Sequence, residues 1–441
     1  MMQKFPIAIV GAGFGGLQAA QSLAHCGKEI LLIDRVNYHT FVPLLYQVAT
    51  AQLEPEQIVY PVRTILRRSR RCHFLMAEVE KIDLSARIIT TDRIEINYDF
   101  LVLATGSKSQ YLGVPGAKEY AFSVNSLPDA VALRDRLLEC LEAASIEADP
   151  LRREQLLTFV IIGGGATGTE VSGALVELFR SRIRHEYPTL NLHHVKLILV
   201  QSGDRLLSEL SPKLGIYTQK YLHKLGVDIR FSTQVARITT EAVYLHDRQI
   251  IPTKTAIWTA GVEATMPELS EDWSRGQKNK LRVRPTLQSI EYDNVYAIGD
   301  VAYIDRDGKG SSGVAPEALQ QGVTVARNIT SQLQNRQTQP FRYFNKGRLA
   351  IIGCRSGVGD IQGWTFTGLL AWLIWLGVHL VYLPGFRNRL LVLLTWLQTY
   401  LGNDRVVRSI LPLQPRTDFQ HKSILKQKLP VGATGNNADF S

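Results

Sequence analysis

The sequence predicts an α/β protein: two Rossmann-like dinucleotide-binding domains followed by a C-terminal amphipathic-helix membrane-binding segment. Three observations predict it. A Gly-x-Gly-x-x-Gly turn stands between an apolar strand and a helix near the N-terminus, and again from Gly163. Two further apolar strands end in Ala-Thr-Gly (Tyr98–Gly106) and in Gly-Asp (Asn294–Asp300). An acid-free stretch rich in Leu and Trp lies near the C-terminus. At about 150 residues per domain, 441 residues hold two to four domains.

The first turn follows the strand Ile7–Val10 and uses Gly11, Gly13 and Gly16. Gly11 permits the tight turn, Gly13 lets backbone approach a pyrophosphate, and Gly16 lets the helix pack on the strand. The anion would sit on the helix N-terminus, where unpaired N–H groups and the dipole favour it. The next strand, Ile30–Ile33, ends in Asp34, 23 residues after Gly11, where a carboxylate can accept from a ribose hydroxyl. The alternative is a tight strand-to-helix turn with no ligand.

The second turn uses Gly163, Gly165 and Gly168. Its following strand, Val195–Val200, ends in Gln201 and not in an acid. A carboxylate there favours the free 2′-hydroxyl of NAD and repels the 2′-phosphate of NADP. Neutral Gln201 either tolerates NADPH, helped by Arg205, or simply hydrogen-bonds the 2′-hydroxyl. Two dinucleotide sites in one chain imply electron relay between a flavin and a nicotinamide. An Asp at the end of the Asn294–Asp300 strand can hold the flavin's ribityl chain.

Charged residues make up 20% and apolar ones 45%, as in a globular protein. The four cysteines (Cys26, Cys72, Cys140, Cys354) are too dispersed for a disulfide framework, a Cys zinc site or a C-x-x-C pair. Cys354 is expected to be buried. His193-His194 are a poor metal pair, His185 reads as surface, and His39 as a packed turn histidine. No charged segment followed by an apolar one opens the chain, so no signal peptide is expected.

The apolar run Leu369–Leu383 has 15 residues. As a helix it reaches about 22 Å, short of the roughly 30 Å hydrocarbon core. No spanning helix is expected. Residues 363–401 hold four of the six tryptophans (Trp364, Trp372, Trp375, Trp396), and their only cations are Arg387 and Arg389, read as lying in the break between two apolar helices. Tryptophan on two helices with arginine in the turn suits the water–lipid boundary. A core hairpin over the flavin domain, or a homodimer interface, is the alternative.

The net charge of +10 is local. Residues 61–73 hold five arginines and no acid; residues 361–441 hold eight Lys and Arg against three Asp; the remainder is neutral. The basic tail on the tryptophan-bearing segment points to an anionic lipid surface. The arginine cluster reads equally as a solvated helix face. No nucleic-acid recognition motif accompanies the charge, so no nucleic-acid partner is expected.

These residues resemble the two-dinucleotide-domain flavin reductases, and within them the type II NADH:quinone oxidoreductases, which do not pump protons. The resemblance rests on DRVNYHTFVPLLYQVAT (34–50), GGGATGTE (163–170), WTAGV (258–262), APEALQQG (315–322), NKGRLAIIG (345–353) and AWLIWLGVHLVYLPGFRNRLL (371–391). It covers nearly the whole chain, to about residue 410. It implies FAD on the first turn and NADH or NADPH on the second, with electrons passed to a membrane quinone. A flavin domain over 1–113 and 291–340, a nicotinamide domain over 114–290 and a C-terminal membrane-anchoring region over 341–441 follow.

The resemblance assigns Gly11, Gly13, Phe14, Gly15, Gly16, Asp34, Arg35, Val79, Asp300, Ala315, Pro316 and Lys346 to flavin contacts. The strand-end residues Thr105 and Gly106 join them. Gly163, Gly165, Gly168 and Gly261, with Gln201, fall to the nicotinamide nucleotide. Gln320 and Gln321 fall beside the quinone channel. Glu170, placed in the first turn of its helix, is either a favourable N-terminal carboxylate or, as the resemblance implies, the acid at the active site. Lys346 would offset charge on the reduced flavin. Asn345 stands where the family has Asp, and Gln201 where it has an acid. A peripheral location on the cytoplasmic side of a membrane is expected. Sulfide:quinone oxidoreduction needs a cysteine pair that this sequence does not arrange; a non-catalytic, membrane-docked redox sensor is the rival from another class.

Overall fold

The computed structural model describes residues 2–180, 182–271, 273–305, 313–402, 407, 409 and 410. The tail cations Arg405, Arg408, Arg416, Lys422, Lys426 and Lys428 lie outside them. The first strand is longer than expected, Met2–Val10, and pairs in parallel with Glu95–Leu103 on one side and Ile30–Asp34 on the other. Cys72–Met76 extends the parallel set beyond Ile30–Asp34, and Val295–Ala297 pairs with Leu101–Leu103. Strand direction places Val10, Asp34, Leu103 and Ala297 at one end of this sheet. In open parallel sheets ligands bind outside the carboxyl ends of the strands.

The second sheet has five parallel strands in the order 121–123, 255–258, 158–162, 196–200, 227–230. Its strands are buried apolar runs, as a parallel sheet covered on both faces requires. The helices Phe14–Leu23 and Ala166–Arg180 leave the two glycine turns. A Cβ at Gly16 would overlap the Gly11 carbonyl, and one at Gly168 the Gly163 carbonyl. Only glycine lets each helix start this close to its strand.

The domain boundary differs from the one expected at residue 290. Glu268–Leu269 pairs in parallel with Lys81–Ile82 of the first sheet. Ala264, Trp273, Leu281 and Leu287 are buried in that sheet's core. The chain therefore returns to the first half near residue 264, through a two-residue strand with no periodicity to announce it. Helix Ala315–Leu333 closes that half by crossing Phe14–Leu23. A Cβ on Gly322 would stand 2.6 Å from the Gly15 carbonyl oxygen, so two glycines make this crossing.

The C-terminal region is a three-stranded antiparallel sheet (348–353, 356–361, 364–367) and two helices, Gly368–Tyr382 and Phe386–Gly402. Arg387 and Arg389 lie in the first turn of the second helix, not in the break. The Arg389 guanidinium donates to the carbonyls of Leu383 (2.7 Å) and Val381 (2.8 Å), closing the end of the first helix. Asn388 donates to the carbonyls of Gln57 (3.1 Å) and Val59 (2.8 Å), tying the hairpin to the first half.

The tryptophans are not the boundary residues expected of them. Trp372, Trp375 and Trp396 are buried; only Trp364, at the tip of the sheet, is exposed, at 80%. Spacings of three and four put Trp372, Trp375 and His379 on one helical stripe facing the protein. The outer face is aliphatic instead, with Leu369, Leu370, Leu373, Leu394, Leu397 and Leu401 exposed. Among the described residues no helix is long and apolar enough to cross a membrane.

Gly322→Leu should force the two helices apart, at a cost of at least about 1–3 kcal/mol. A lowered thermal midpoint with weakened FAD retention checks this; an unchanged midpoint overturns the close-crossing account.

Candidate active site

The two glycine turns are braced alike. The Ala12 N–H donates to Asp34 Oδ2 (2.6 Å), and the Val36 N–H to Oδ1 (3.0 Å). At the second turn the Gly164 N–H donates to Gln201 Oε1 (2.8 Å), while Gln201 Nε2 donates to the Arg205 carbonyl (3.3 Å). Gln201 thus does the turn-holding of Asp34 without its charge. The Arg205 guanidinium is held by the Ser208 carbonyl (2.7 Å).

A Cβ at Gly13 or at Gly165 would meet nothing within 4 Å, unlike the crowded glycines on either side. Each opens beside the first N–H groups of a helix, which lack intrahelical partners. That is the space and the polarity a pyrophosphate needs. The residues present therefore fit a dinucleotide on each turn.

Around the first turn, strand ends converge. The Ala104 N–H donates to the Val10 carbonyl (2.8 Å) and the Ile298 N–H to that of Leu103 (2.9 Å). Thr105 Oγ1 donates to the Thr265 carbonyl, and the Gly106 carbonyl accepts from the Thr265 N–H (3.0 Å). Ser107 Oγ donates to Asp300 Oδ2 (2.6 Å). Ala315 and Pro316 open the crossing helix, and Gly313 stands between Asp300 and the Lys280 amine. Burial lowers the Lys280 pKa while the Asp300 carboxylate raises it. Lys280, one of two lysines in the polar stretch 274–280, carried no signal in the sequence. Phe14 meets His39 edge-on, and buried His39 holds the Ala12 carbonyl through Nδ1 (3.0 Å). Val79 begins a strand of the first sheet, and Arg35 is exposed beyond Asp34.

Between the halves runs a cleft of about 510 Å³. Gly165, Thr259, Gly261, Asp300, Val314 and Arg348 line it. It brings second-turn residues within one cavity of a first-half residue, as relay between two cofactors requires.

Glu170 stands in the second turn of its helix, one residue beyond the first turn expected for it. It is mostly buried against the strand and the helix of the C-terminal region. The Ile351 N–H donates to it at 3.4 Å, and the Trp375 side chain donates to it as well. Burial pushes its pKa up to about 8, against the lowering pull of both donors. Behind it lies a polar cluster among aromatic rings. His379 stacks on Trp375 (3.7 Å between centroids), and burial pushes its pKa down to about 4. Trp396 Nε1 donates to Gln47 Oε1 (2.8 Å), and Gln47 Nε2 to the Tyr46 hydroxyl (3.0 Å). Burial and the Glu170 carboxylate raise the Tyr46 pKa. Tyr46 and Gln47 stand as two polar residues inside an apolar run, and nothing in the sequence marks Tyr46 as a neighbour of Glu170.

Gln320 and Gln321 are placed differently from a pair lining a channel. The Gln320 amide holds the Phe344 backbone at both ends (2.9 Å each). Gln321 is fully buried, its Oε1 accepting from the Gly299 N–H (2.6 Å). Adjacent residues point to different faces of a helix, and Gln321 falls on the packed one. Lys346 is exposed and donates to the Tyr382 hydroxyl (2.9 Å). Asn345 Oδ1 accepts from the Gly347 N–H (3.0 Å), a local turn. Cys354 is partly exposed, not buried. His185 and His194 are exposed, and the His193 side chain lies outside the described residues.

Fold and cleft together define a reductase with two dinucleotide folds. Residues 5–322 match the family model described as pyridine nucleotide-disulphide oxidoreductase, and residues 345–409 that of the NDH2 C-terminal domain. The chain is 34% identical over 420 residues to the type II NADH:quinone oxidoreductase Ndh of Mycobacterium tuberculosis, covering 91% of this chain and 89% of the relative. It is 33% identical over 417 residues to NdhA of the same organism, covering 90% and 88%. The structure of NDH2 from Plasmodium falciparum in complex with NADH superposes with a TM-score of 0.84 at 18% identity, over 92% of this chain and all of that one. The chain belongs to the type II NADH:quinone oxidoreductase family.

Below about pH 8 the folded protein keeps a proton on Glu170 that the unfolded chain releases near 4.5. The native state then binds more protons, so stability falls as pH rises through that window. Glu170→Gln removes the titration. Its thermal midpoint should gain on the parent's from about pH 5 to about pH 8; a constant offset would refute the raised pKa.

Proposed function

We propose that this protein passes reducing equivalents from NADH through FAD to a membrane quinone, without pumping protons, while docked on a membrane surface by its C-terminal hairpin. The observation that carries this reading is the position of Glu170. Its helix starts at the nucleotide cleft, and its carboxyl meets the hairpin at Trp375. One helix therefore joins the donor cleft to the hairpin, with Glu170 at the hairpin end of that joint.

Gly13 and the N-terminus of Phe14–Leu23 would hold the FAD pyrophosphate, with Asp34 bracing the turn and Asp300 at the ribityl end. Bound FAD supplies the two-electron chemistry, accepting hydride from NADH and delivering electrons to quinone. Gly165 and the N-terminus of Ala166–Arg180 would hold the NADH pyrophosphate, with Gly261 across the cleft. At neutral pH the Glu170 carboxyl retains its proton, and a neutral acid can donate it as charge reaches a quinone oxygen. The surrounding Trp375, Trp396 and Tyr46 rings exclude water from that carboxyl. Residues 2–113 and about 264–340 form the flavin half, and residues from 341 the anchor.

The exposed leucines of both helices form one apolar surface, with Phe386 80% exposed at the turn. Contiguous apolar area of this kind marks a contact surface. Helices too short to span, apolar on the outer side and free of acids, suit one leaflet. The nucleotide cleft opens to the compartment that supplies NADH.

Purified FAD-loaded enzyme should oxidise NADH with a short-chain quinone, and Glu170→Gln should lower turnover without loss of flavin. Flavin bleaching by NADH with no quinone turnover would leave a sensor, not an enzyme. Neutral Gln201 should hold kcat/KM for NADPH within about a hundredfold of NADH, and Gln201→Glu should widen the gap at least about tenfold.

Replacing Leu369, Leu373, Leu394 and Leu397 together with Gln should weaken binding to phosphatidylcholine vesicles by about a hundredfold or more. Flotation measures it; undiminished binding would sink the hairpin as anchor.

A further inference from the structure

Five arginines, Arg63, Arg67, Arg68, Arg70 and Arg71, follow the strand Val59–Pro61. The short helix Val62–Leu66 buries Val62 and Leu66 and leaves all five arginines exposed, so the run continues past the helix into the turn before Cys72–Met76. Among the described residues none of the five is in an ion pair. Arg63 lies over the Phe74 ring at 5.2 Å. Like charges gathered this closely make a local positive potential that attracts anions.

Their place in the fold says which partner. The turn of the C-terminal hairpin sits on the residues just before this segment. Asn388 holds the carbonyls of Gln57 and Val59, and Gly385 packs directly on the Tyr60 ring. Arg63 is three residues beyond Tyr60, within about 10 Å along the chain. Exposed Arg387 and Arg389 stand in the first turn of the helix that leaves that hairpin turn. The exposed acids beside these arginines are Glu54, Glu56 and Glu29, the last paired with His73 (2.6 Å), three against seven arginines. The basic run thus starts at Arg63 beside the hairpin, where phospholipid headgroups lie when leucines enter a leaflet, and extends from there to Arg71, whose carbonyl accepts from the Ile30 N–H at the far end of the strand that ends in Asp34.

We propose that Arg63–Arg71, with Arg387 and Arg389, is a second membrane contact that selects anionic phospholipid headgroups. Guanidinium forks match phosphate oxygens two at a time. Cations near an anionic surface each add to binding, and the gain fades within a Debye length. The inference rests on the hairpin docking proposed above. It adds a preference among membranes and a fixed rotation of the flavin half against the surface, which the hairpin alone leaves free.

The test uses the full-length, FAD-loaded enzyme and flotation with two vesicles: pure phosphatidylcholine, and phosphatidylcholine with phosphatidylglycerol. The wild type should bind both and prefer the anionic vesicle. Arg67→Gln, Arg68→Gln, Arg70→Gln and Arg71→Gln together should cut the anionic preference by about tenfold or more, with neutral-vesicle binding, flavin content and short-chain quinone turnover unchanged. Wild type without an anionic preference, or a variant that keeps it, overturns the proposal and leaves the hairpin reading standing. Binding to anionic vesicles alone, lost in the variant, supports the arginines and overturns the hairpin. Binding of single-stranded RNA as tight as that of anionic vesicles assigns the arginines to another polyanion and overturns the proposal. Should the quadruple variant fail to hold FAD, Arg68→Glu and Arg70→Glu singly carry the same comparison.

Discussion

The close seating of strand Arg348–Gly353 against helix Ala166–Arg180 is the constraint on which the rest depends. A Cβ at Gly173 would overlap the Ile352 carbonyl, so helix and strand touch backbone to backbone. One helical turn earlier this contact puts Glu170 against the Ile351 N–H. The same strand leads through its sheet into the first hairpin helix, which returns Trp375 to that carboxyl. The proton affinity of Glu170, the wall of the nucleotide cleft at Ala350 and the seating of the hairpin are therefore set by one joint.

The two halves repeat one solution to anion binding and diverge where chemistry asks it. Both turns open a Cβ-free space over a helix N-terminus, and both are braced by the residue ending the next strand. The brace is charged in the flavin half and neutral in the nicotinamide half. A carboxylate or an amide oxygen accepts the backbone N–H equally well, so the turn geometry tolerates the exchange and nucleotide choice is free to follow it.

Much of this was legible in the sequence because its signals are local. The glycine turns, the Ala-Thr-Gly and Gly-Asp strand ends and the two apolar helices each occupy one short window. The return near Ala264 was not legible, since a two-residue strand records its partner nowhere in its own composition. The inward set of Trp372, Trp375 and His379 was present as helical spacing, but composition drew the eye to tryptophan as an interfacial residue. Gln320 and Gln321 show the limit of reading adjacent residues as a pair: on a helix they part, and packing decides which is buried. The Lys280–Asp300 juxtaposition spans two segments and exists only after folding.

The bond from Arg389 to the carbonyls of Val381 and Leu383 has a consequence for depth. The last carbonyls of a helix have no intrahelical donor, and in hydrocarbon each bare one costs several kcal/mol, about what confines most helix ends to water. Here the guanidinium is folded back over them before any lipid arrives. The tip of the hairpin is thus tied off in advance, so it can rest at the headgroup level without unwinding a turn, with Arg387 and Arg389 still exposed.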